Sequence, residues 1–387
     1  MLILINVLEI LLLLYLGGSA LYTFAFAVFA FLPDRYQPLG DGQIRKFLVL
    51  IPGYKEDAVI VSTAKAALEQ DYPQEHYDVR ILADSFQEST LAALRDLPID
   101  VQEVRFETST KSKAIHEALK LLPEGYDSIA ILDADNVMDK QFLSYMNAYL
   151  EEGHLAIQGR RVAKNSETPM AVLDAISEEV NNRIYCKGPT AVGLSSKLSG
   201  SGMAFDYQTF RRVMLQVFAI GGFDKELELR FTREKIHVAY HHQAKVYDEK
   251  VRNPEVYSKQ RRRWLSAQYA YLNRFFGESI RKLLTEGNSD FFHKVMQLAL
   301  PPRLILPVAL FLGAVVSWLL DGQYIWWCVA TGLSVSSFLL AIPRYLYNRN
   351  FVRSMLHLPK VLLYTVLALK GLRKANKKFI HTPHGNY

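Results

Sequence analysis

Cysteine is almost missing: the chain of 387 residues has two, Cys186 and Cys328. They make no metal-ligand spacing, and Cys328 lies within an apolar run. A disulfide framework and a thiolate metal site are therefore excluded, which fits a main domain in a reducing compartment. Positive charge is missing at two informative places. No Lys or Arg precedes Arg35, so the apolar stretch over residues 10–32 lacks the basic start of a secretory signal, and it is long enough to be a retained span of about 20 residues. The turn at Asp321, Gly322 and Gln323 also carries no Lys or Arg, although apolar runs flank it at 304–320 and 324–343.

Half of the residues are hydrophobic, the formal net charge is +6, and the pI is about 9.0. A basic chain can bind nucleic acid, but basic residues beside apolar spans more often set topology and meet anionic lipid. We expect no nucleic-acid partner. Arg281, Lys282, Lys294 and Arg303 precede the 304–343 hairpin, and Arg344, Arg349, Arg353 and Lys360 follow it. The positive-inside rule puts both flanks, and with them the main domain, in the cytoplasm, with the N-terminus outside. Glu9 is expected at the interface. The apolar segment over 354–372 contains His357, Lys360 and Lys370 and reads as an interfacial helix, with a third C-terminal span as the alternative. A basic tail with Lys374, Lys377, Lys378 and His381 follows.

Residues 45–250 alternate short apolar runs with helical spacing, as in an α/β domain with a mainly parallel sheet. Strands are expected at 47–51, 79–83, 101–105, 129–132 and 155–158, with short ones at 238–240 and 244–247. Helices are expected at 59–68, 91–97 and 111–122. The organisation expected is an anchor at 1–33, the α/β domain at 45–250, amphipathic helices at 251–303, a hairpin at 304–343, and an interfacial helix with a tail at 350–387.

The strand at 129–132 ends in Asp133, Ala134, Asp135 and Asn136. Open α/β sheets bind ligands at the carboxyl ends of their strands. Two carboxylates one residue apart can there hold Mg2+ or Mn2+ together with a diphosphate, since hard cations share oxygen ligands with phosphates. Asp and Asn are also ordinary turn residues. Asp84 ends another strand and suits a base or ribose contact, or a helix N-cap. Lys111 opens a helix whose N-terminus points to the same edge, a pairing that attracts phosphate; taken alone, it is as well read as a solvated lysine. Gly221 and Gly222 lead into a helix start with Asp224, Glu226 and Glu228. These acids complement the helix dipole, or one is a general base. In the run from Gln260 to Trp264, Arg261 and Arg262 suit lipid headgroups. Arg263 offers a planar fork for diphosphate, and Trp264 a face for a sugar ring.

These motifs in this order resemble the membrane-bound inverting glycosyltransferases of family 2, the group of cellulose, chitin and hyaluronan synthases and ceramide glucosyltransferase. The resemblance covers about residues 47–265. It implies a GT-A type, Rossmann-like domain flanked by membrane helices, a nucleotide-sugar donor and a divalent cation. By position, Pro52, Tyr54 and Glu56 match the start of the nucleotide-binding turn, Asp84 the base contact, and Lys111 a lysine near the nucleotide. Asp133 and Asp135 match the Asp-x-Asp of the donor diphosphate and metal. Gln260, Arg263 and Trp264 match the Gln-x-x-Arg-Trp of the diphosphate and acceptor site. Two departures stand out: Ala83 precedes Asp84 where the family often has a second aspartate, and Lys225-Glu226 replaces the usual Glu-Asp of the base. Alignment favours Glu226 as the base, with Asp224 competing.

The expected function is transfer of a sugar from a nucleotide-sugar, with UDP-sugar favoured, to a lipid or lipid-linked saccharide at the cytoplasmic membrane face. A processive polysaccharide synthase is the first alternative. A nucleotidyltransferase is another; it would normally carry a Gly-rich basic loop, whereas the segment from Pro52 to Asp57 contains two acids. A membrane-anchored nucleotide-sugar binder with a degenerate site is the last. Sequence spacing does not give the oligomeric state.

Overall fold

The computed structural model describes residues 2–34, 42–121, 125–251 and 254–369. Arg35 and the basic tail beyond residue 369 lie outside them. Helix α1 (Leu2–Phe29) precedes the α/β domain. That domain begins β1 (Phe47–Tyr54), α2 (Ile60–Ala67), β2 (Tyr77–Asp84), α3 (Glu88–Arg95), β3 (Asp100–Val104), α4 (Lys111–Leu121) and β4 (Ser128–Ile131). It continues with β5 (Val137–Met138), α5 (Phe142–Glu151), β6 (Ala156–Ala163), α6 (Pro169–Asn181), a π-helical turn, α7 (Gly188–Ala191), β7 (Met203–Asp206), α8 (Tyr207–Met214), α9 (Phe223–Arg233) and β8 (Val238–Asp248). Beyond it run α10 (Pro254–Glu286), α11 (Ser289–Ala299), α12 (Ile305–Leu319), α13 (Tyr324–Ala341), α14 (Arg349–Met355) and α15 (Leu358–Leu369).

The eight strands form one sheet in the order β3-β2-β1-β4-β7-β6-β8-β5. Strands β3, β2, β1 and β4 are parallel, and β7 enters antiparallel between β4 and β6. Side chains alternate strictly across the sheet. Leu48, Leu50, Ile129 and Ile131 pack on one face; Phe47, Val49, Ile51, Ala130 and Leu132 pack on the other. Both faces are covered, so these strands read as continuous apolar runs. The connection reverses direction across β1 and β4, which opens a crevice at their carboxyl ends.

Three local readings change. Pro52, Gly53 and Tyr54 are not a turn but the end of β1, in register with Leu82, Ala83 and Asp84. A Cβ on Gly53 would lie 2.6 Å from the tip of the Phe86 ring, so any side chain there would have to push that ring aside. The two short strands expected at 238–240 and 244–247 are one strand, β8, whose pairing with β6 shifts between Gly159 and Arg160. The apolar segment after residue 350 is two helices, α14 and α15, bent by 52°.

Helices α1 and α13 are long and apolar enough to cross a membrane, and α12 is a shorter apolar helix of 15 residues. The three pack together around Ala20, Leu310, Trp327 and Ala330. A Cβ on Gly313 would lie 2.3 Å from the Trp327 ring, so only glycine lets α13 approach α12 so closely. Glu9 closes the bundle: its Oε1 accepts from Ser317 Oγ at 2.6 Å, Gln323 N at 2.9 Å and Trp327 Nε1 at 3.2 Å. The C-terminal half of α1 also packs on the α/β domain, with Phe26 and Ala27 against Met170, Ile176 and Ile184. Two of the basic residues used above for orientation are internal. Lys294 is fully buried beside Glu228, 3.6 Å away, and Arg303 lines the central cavity.

Candidate active site

One cavity of about 450 Å³ runs from the carboxyl edge of the sheet to the start of α12. At the sheet end, two non-glycine residues take left-handed backbone where β1 and β2 stop, Lys55 (φ 56°) and Ser85 (φ 60°). Lys55 N donates to Asp84 O at 3.1 Å, tying the two reversals together. Such strained positions cluster where a ligand site is held in shape. Asp84 is buried at the end of β2, and its Oδ1 accepts from Ser85 Oγ at 2.9 Å. It is not an N-cap: α3 starts later, with Gln87 as its N-cap residue.

Asp133 and Asp135 line the cavity just past β4. Lys111 Nζ donates to Asp133 Oδ1 and to Gly200 O, the latter at 2.8 Å. Asp133 N donates to Ser201 Oγ at 2.9 Å. Asn136 is fully buried behind the pair. With its amide oxygen on the Ser201 hydroxyl, its nitrogen reaches Asp135 Oδ1 at 3.2 Å and Asp248 Oδ1 at 3.1 Å. Asp248 accepts in turn from Arg161 Nη2 and Lys250 Nζ, each at 2.6 Å. Burial pushes the Asp248 carboxyl up, but Arg161 and Lys250 outweigh it and hold the group below its ordinary value. Asp135 is thus oriented by a chain of fixed, charged neighbours, the kind of support that outer residues give a metal ligand.

Among the described residues, no three His, Cys, Asp or Glu side chains gather to enclose a metal ion. Two carboxylates in an open cavity fit a hard cation that takes its remaining ligands from water and a bound diphosphate.

The acids after Gly222 separate. Asp224 lines the cavity near the Gly200 backbone. Glu226, favoured on alignment, does not line it. Its carboxylate is buried, accepting from Arg230 Nη2 at 2.8 Å and Arg274 Nη1 at 3.0 Å, with Tyr271 OH at 3.4 Å. The reason is helical geometry: residues two apart on α9 point to different sides, and Glu226 and Arg230, four apart, share the side facing α10. Glu226→Gln is therefore expected to act on stability. Breaking this buried pair should cost about 3 kcal/mol, read as a lowered unfolding temperature of the purified protein.

On α10, Gln260, Arg263 and Trp264 all line the cavity. Burial draws the Arg263 guanidinium down, opposed by the charges of Asp224 and Asp133. Arg261 does not reach out to headgroups. Its guanidinium lies 4.7 Å from the Tyr257 ring centre and 4.8 Å from that of Trp264, and it donates to Asp174 Oδ1 at 3.3 Å. One face of Trp264 is thereby occupied, and the ring is held at the cavity wall.

Residues 45–267 match the family model described as glycosyltransferase-like family 2. The chain belongs to that family. It is 26% identical over 251 residues to a β-monoglucosyldiacylglycerol synthase of Nostoc sp., covering 61% of this chain and 52% of the relative. It is 25% identical over 171 residues to the poly(ribitol-phosphate) β-N-acetylglucosaminyltransferase TarS of Staphylococcus aureus, covering 41% and 29%. The chain thus spans about half or less of the length of these relatives. A solved mannosyltransferase from Pyrobaculum calidifontis, in complex with GDP-Man and Mn2+, aligns over 94% of this chain and 97% of its own, at 15% identity and a TM-score of 0.59. The α/β domain is therefore a GT-A fold.

Several charged residues of this family 2 domain escaped the sequence reading: Arg161, Asp174, Glu178, Lys197 and Lys250 all line the cavity. They come from α6, from the loop before β7 and from the ends of β6 and β8. Of these only Lys250 had a signal, since it lies just past a strand as Asp133 does.

Proposed function

We propose that this protein is a metal-dependent inverting glycosyltransferase that moves a sugar from a nucleotide-sugar, with UDP-sugar favoured, to a lipid or lipid-linked saccharide at the cytoplasmic membrane face. The observation that carries the reading is the single cavity joining the Asp133 and Asp135 edge to the α10–α12 membrane end. A donor site and a lipid-accessible acceptor site then share one chamber. The Nostoc relative, named for a glucosylated diacylglycerol, and the neighbour solved with GDP-Man and Mn2+ support this.

In this proposal Pro52, Tyr54, Glu56 and Asp84 bind the nucleoside. Asp133 and Asp135 would hold Mg2+ or Mn2+, which would supply charge stabilisation for the leaving diphosphate. Lys111 and Arg263 add fixed positive charge where that negative charge develops. Gln260 and Trp264 place the acceptor. Asp224 takes the acceptor hydroxyl proton as the oxygen attacks the anomeric carbon. The bond to the diphosphate breaks with its electron pair leaving on the diphosphate. Attack from the opposite side inverts the anomeric centre. Helices α1, α12 and α13 seat the domain on the membrane.

The test is release of nucleoside diphosphate by the purified chain in detergent, with UDP-, GDP- and CMP-sugars and Mg2+ or Mn2+. Release that needs metal and rises with added membrane lipid is the expected result. Pyrophosphate in place of nucleoside diphosphate would overturn the reading in favour of nucleotidyl transfer. Products of increasing length would favour the processive alternative.

A further inference from the structure

The membrane end of the cavity holds charge that the transfer chemistry does not use. Arg303 stands two residues before α12 and lines the cavity. Its Nη2 donates to Ser177 Oγ at 3.1 Å, and its guanidinium lies 5.5 Å from the Tyr185 ring centre. Its Nη1 is sealed from solvent and has no hydrogen-bond partner. Among the described residues no carboxylate comes within ion-pair distance of it, whereas the neighbouring Arg261 has Asp174. A desolvated guanidinium without a directly paired carboxylate is costly, and a ligand anion lowers the cost.

Lys197 is the second such cation. It lines the same cavity, and its ammonium makes no hydrogen bond or ion pair with a described residue. Burial, with Lys225 beside it, pushes the group down to about 8, while Glu178 and Asp224 act in the opposite sense. Glu178, engaged by Lys250 Nζ at 3.3 Å, is the acid whose charge favours both cations, and no ion pair joins it to either.

We propose that Arg303 and Lys197 form an anion subsite for the phosphate of a phosphorylated lipid acceptor, such as a lipid-phosphate-linked saccharide. The inference rests on the transferase reading and narrows its acceptor. The phosphate lies near the start of α12, where a lipid chain can remain in the membrane, and the saccharide extends along the cavity towards Asp224. A neutral glycerolipid has no group for these two cations. Arg suits this task because its fork binds phosphate through two parallel donors.

The test uses the full chain in detergent, with native mass spectrometry counting bound farnesyl phosphate or farnesol. The phosphate is expected to bind at least about tenfold more tightly than the alcohol, as charge-assisted hydrogen bonds would give. Arg303→Gln should abolish that preference and Lys197→Met reduce it, with Arg303→Lys restoring part of it. Unfolding temperatures of the variants separate this from misfolding. Equal binding of alcohol and phosphate, or an unchanged preference in Arg303→Gln, overturns the proposal. Competition by inorganic phosphate as effective as farnesyl phosphate overturns its lipid part. Titration of UDP, GDP and CMP with Mg2+ separates the two readings. Nucleotide binding without a lipid-phosphate preference overturns this inference alone. No nucleotide binding overturns the transferase reading beneath it.

Discussion

Asp224→Asn is expected to lower kcat by about 10²- to 10⁴-fold while leaving the donor KM nearly unchanged, the range that a positioned general base contributes. The substitution keeps the shape of the side chain and removes its ability to take a proton. Asp224 is on the cavity wall, whereas Glu226 is engaged by Arg230 and Arg274. The comparison with Glu226→Gln is therefore the informative one. Steady-state rates of transfer to lipid, normalised to folded protein, should fall steeply for Asp224→Asn and only modestly for Glu226→Gln. The reverse order would return the base to Glu226, and would require α9 to turn its first residues when substrate binds.

Asp135→Ala is expected to remove metal-dependent donor binding, weakening apparent cation affinity by more than about 100-fold. The carboxylate sits at the crevice between β1 and β4, oriented through Asn136. Without it, Asp133 alone remains past β4, and Asp133 is also bonded to Lys111. The check is titration of UDP in the presence of Mn2+ and then EDTA. The wild-type chain should lose nucleotide binding with EDTA, and Asp135→Ala should bind equally weakly under both conditions. A variant that still responds to Mn2+ would place the cation elsewhere.

The amino-acid sequence by itself determined the sheet and one side of the site. Apolar runs at 47–51 and 129–132 sit on strands buried on both faces, and such strands need no distant information to be recognised. Asp84 ends the strand expected at 79–83, and Asp133 and Asp135 follow the one at 129–132, so their gathering at one edge follows from parallel order alone. The apolar stretches at 10–32 and 324–343 were equally plain, because such a run needs only its length to be read; they lie on helices Leu2–Phe29 and Tyr324–Ala341.

Only the tertiary structure separated Asp224, which lines the cavity, from Glu226, which does not. Two acids two apart on one helix differ in which neighbour each faces, and that neighbour, α10, lies dozens of residues downstream. The same holds for Arg261, which sequence placed at lipid headgroups and which instead stacks between Tyr257 and Trp264 beside Asp174. A basic residue in a helix reads as surface until the acid that buries it is seen. Arg303 is the converse: it read as a topological charge before a span, and packing left it facing the cavity with no carboxylate of a described residue within ion-pair distance. Charge identity is local, but charge pairing is a property of the assembled fold.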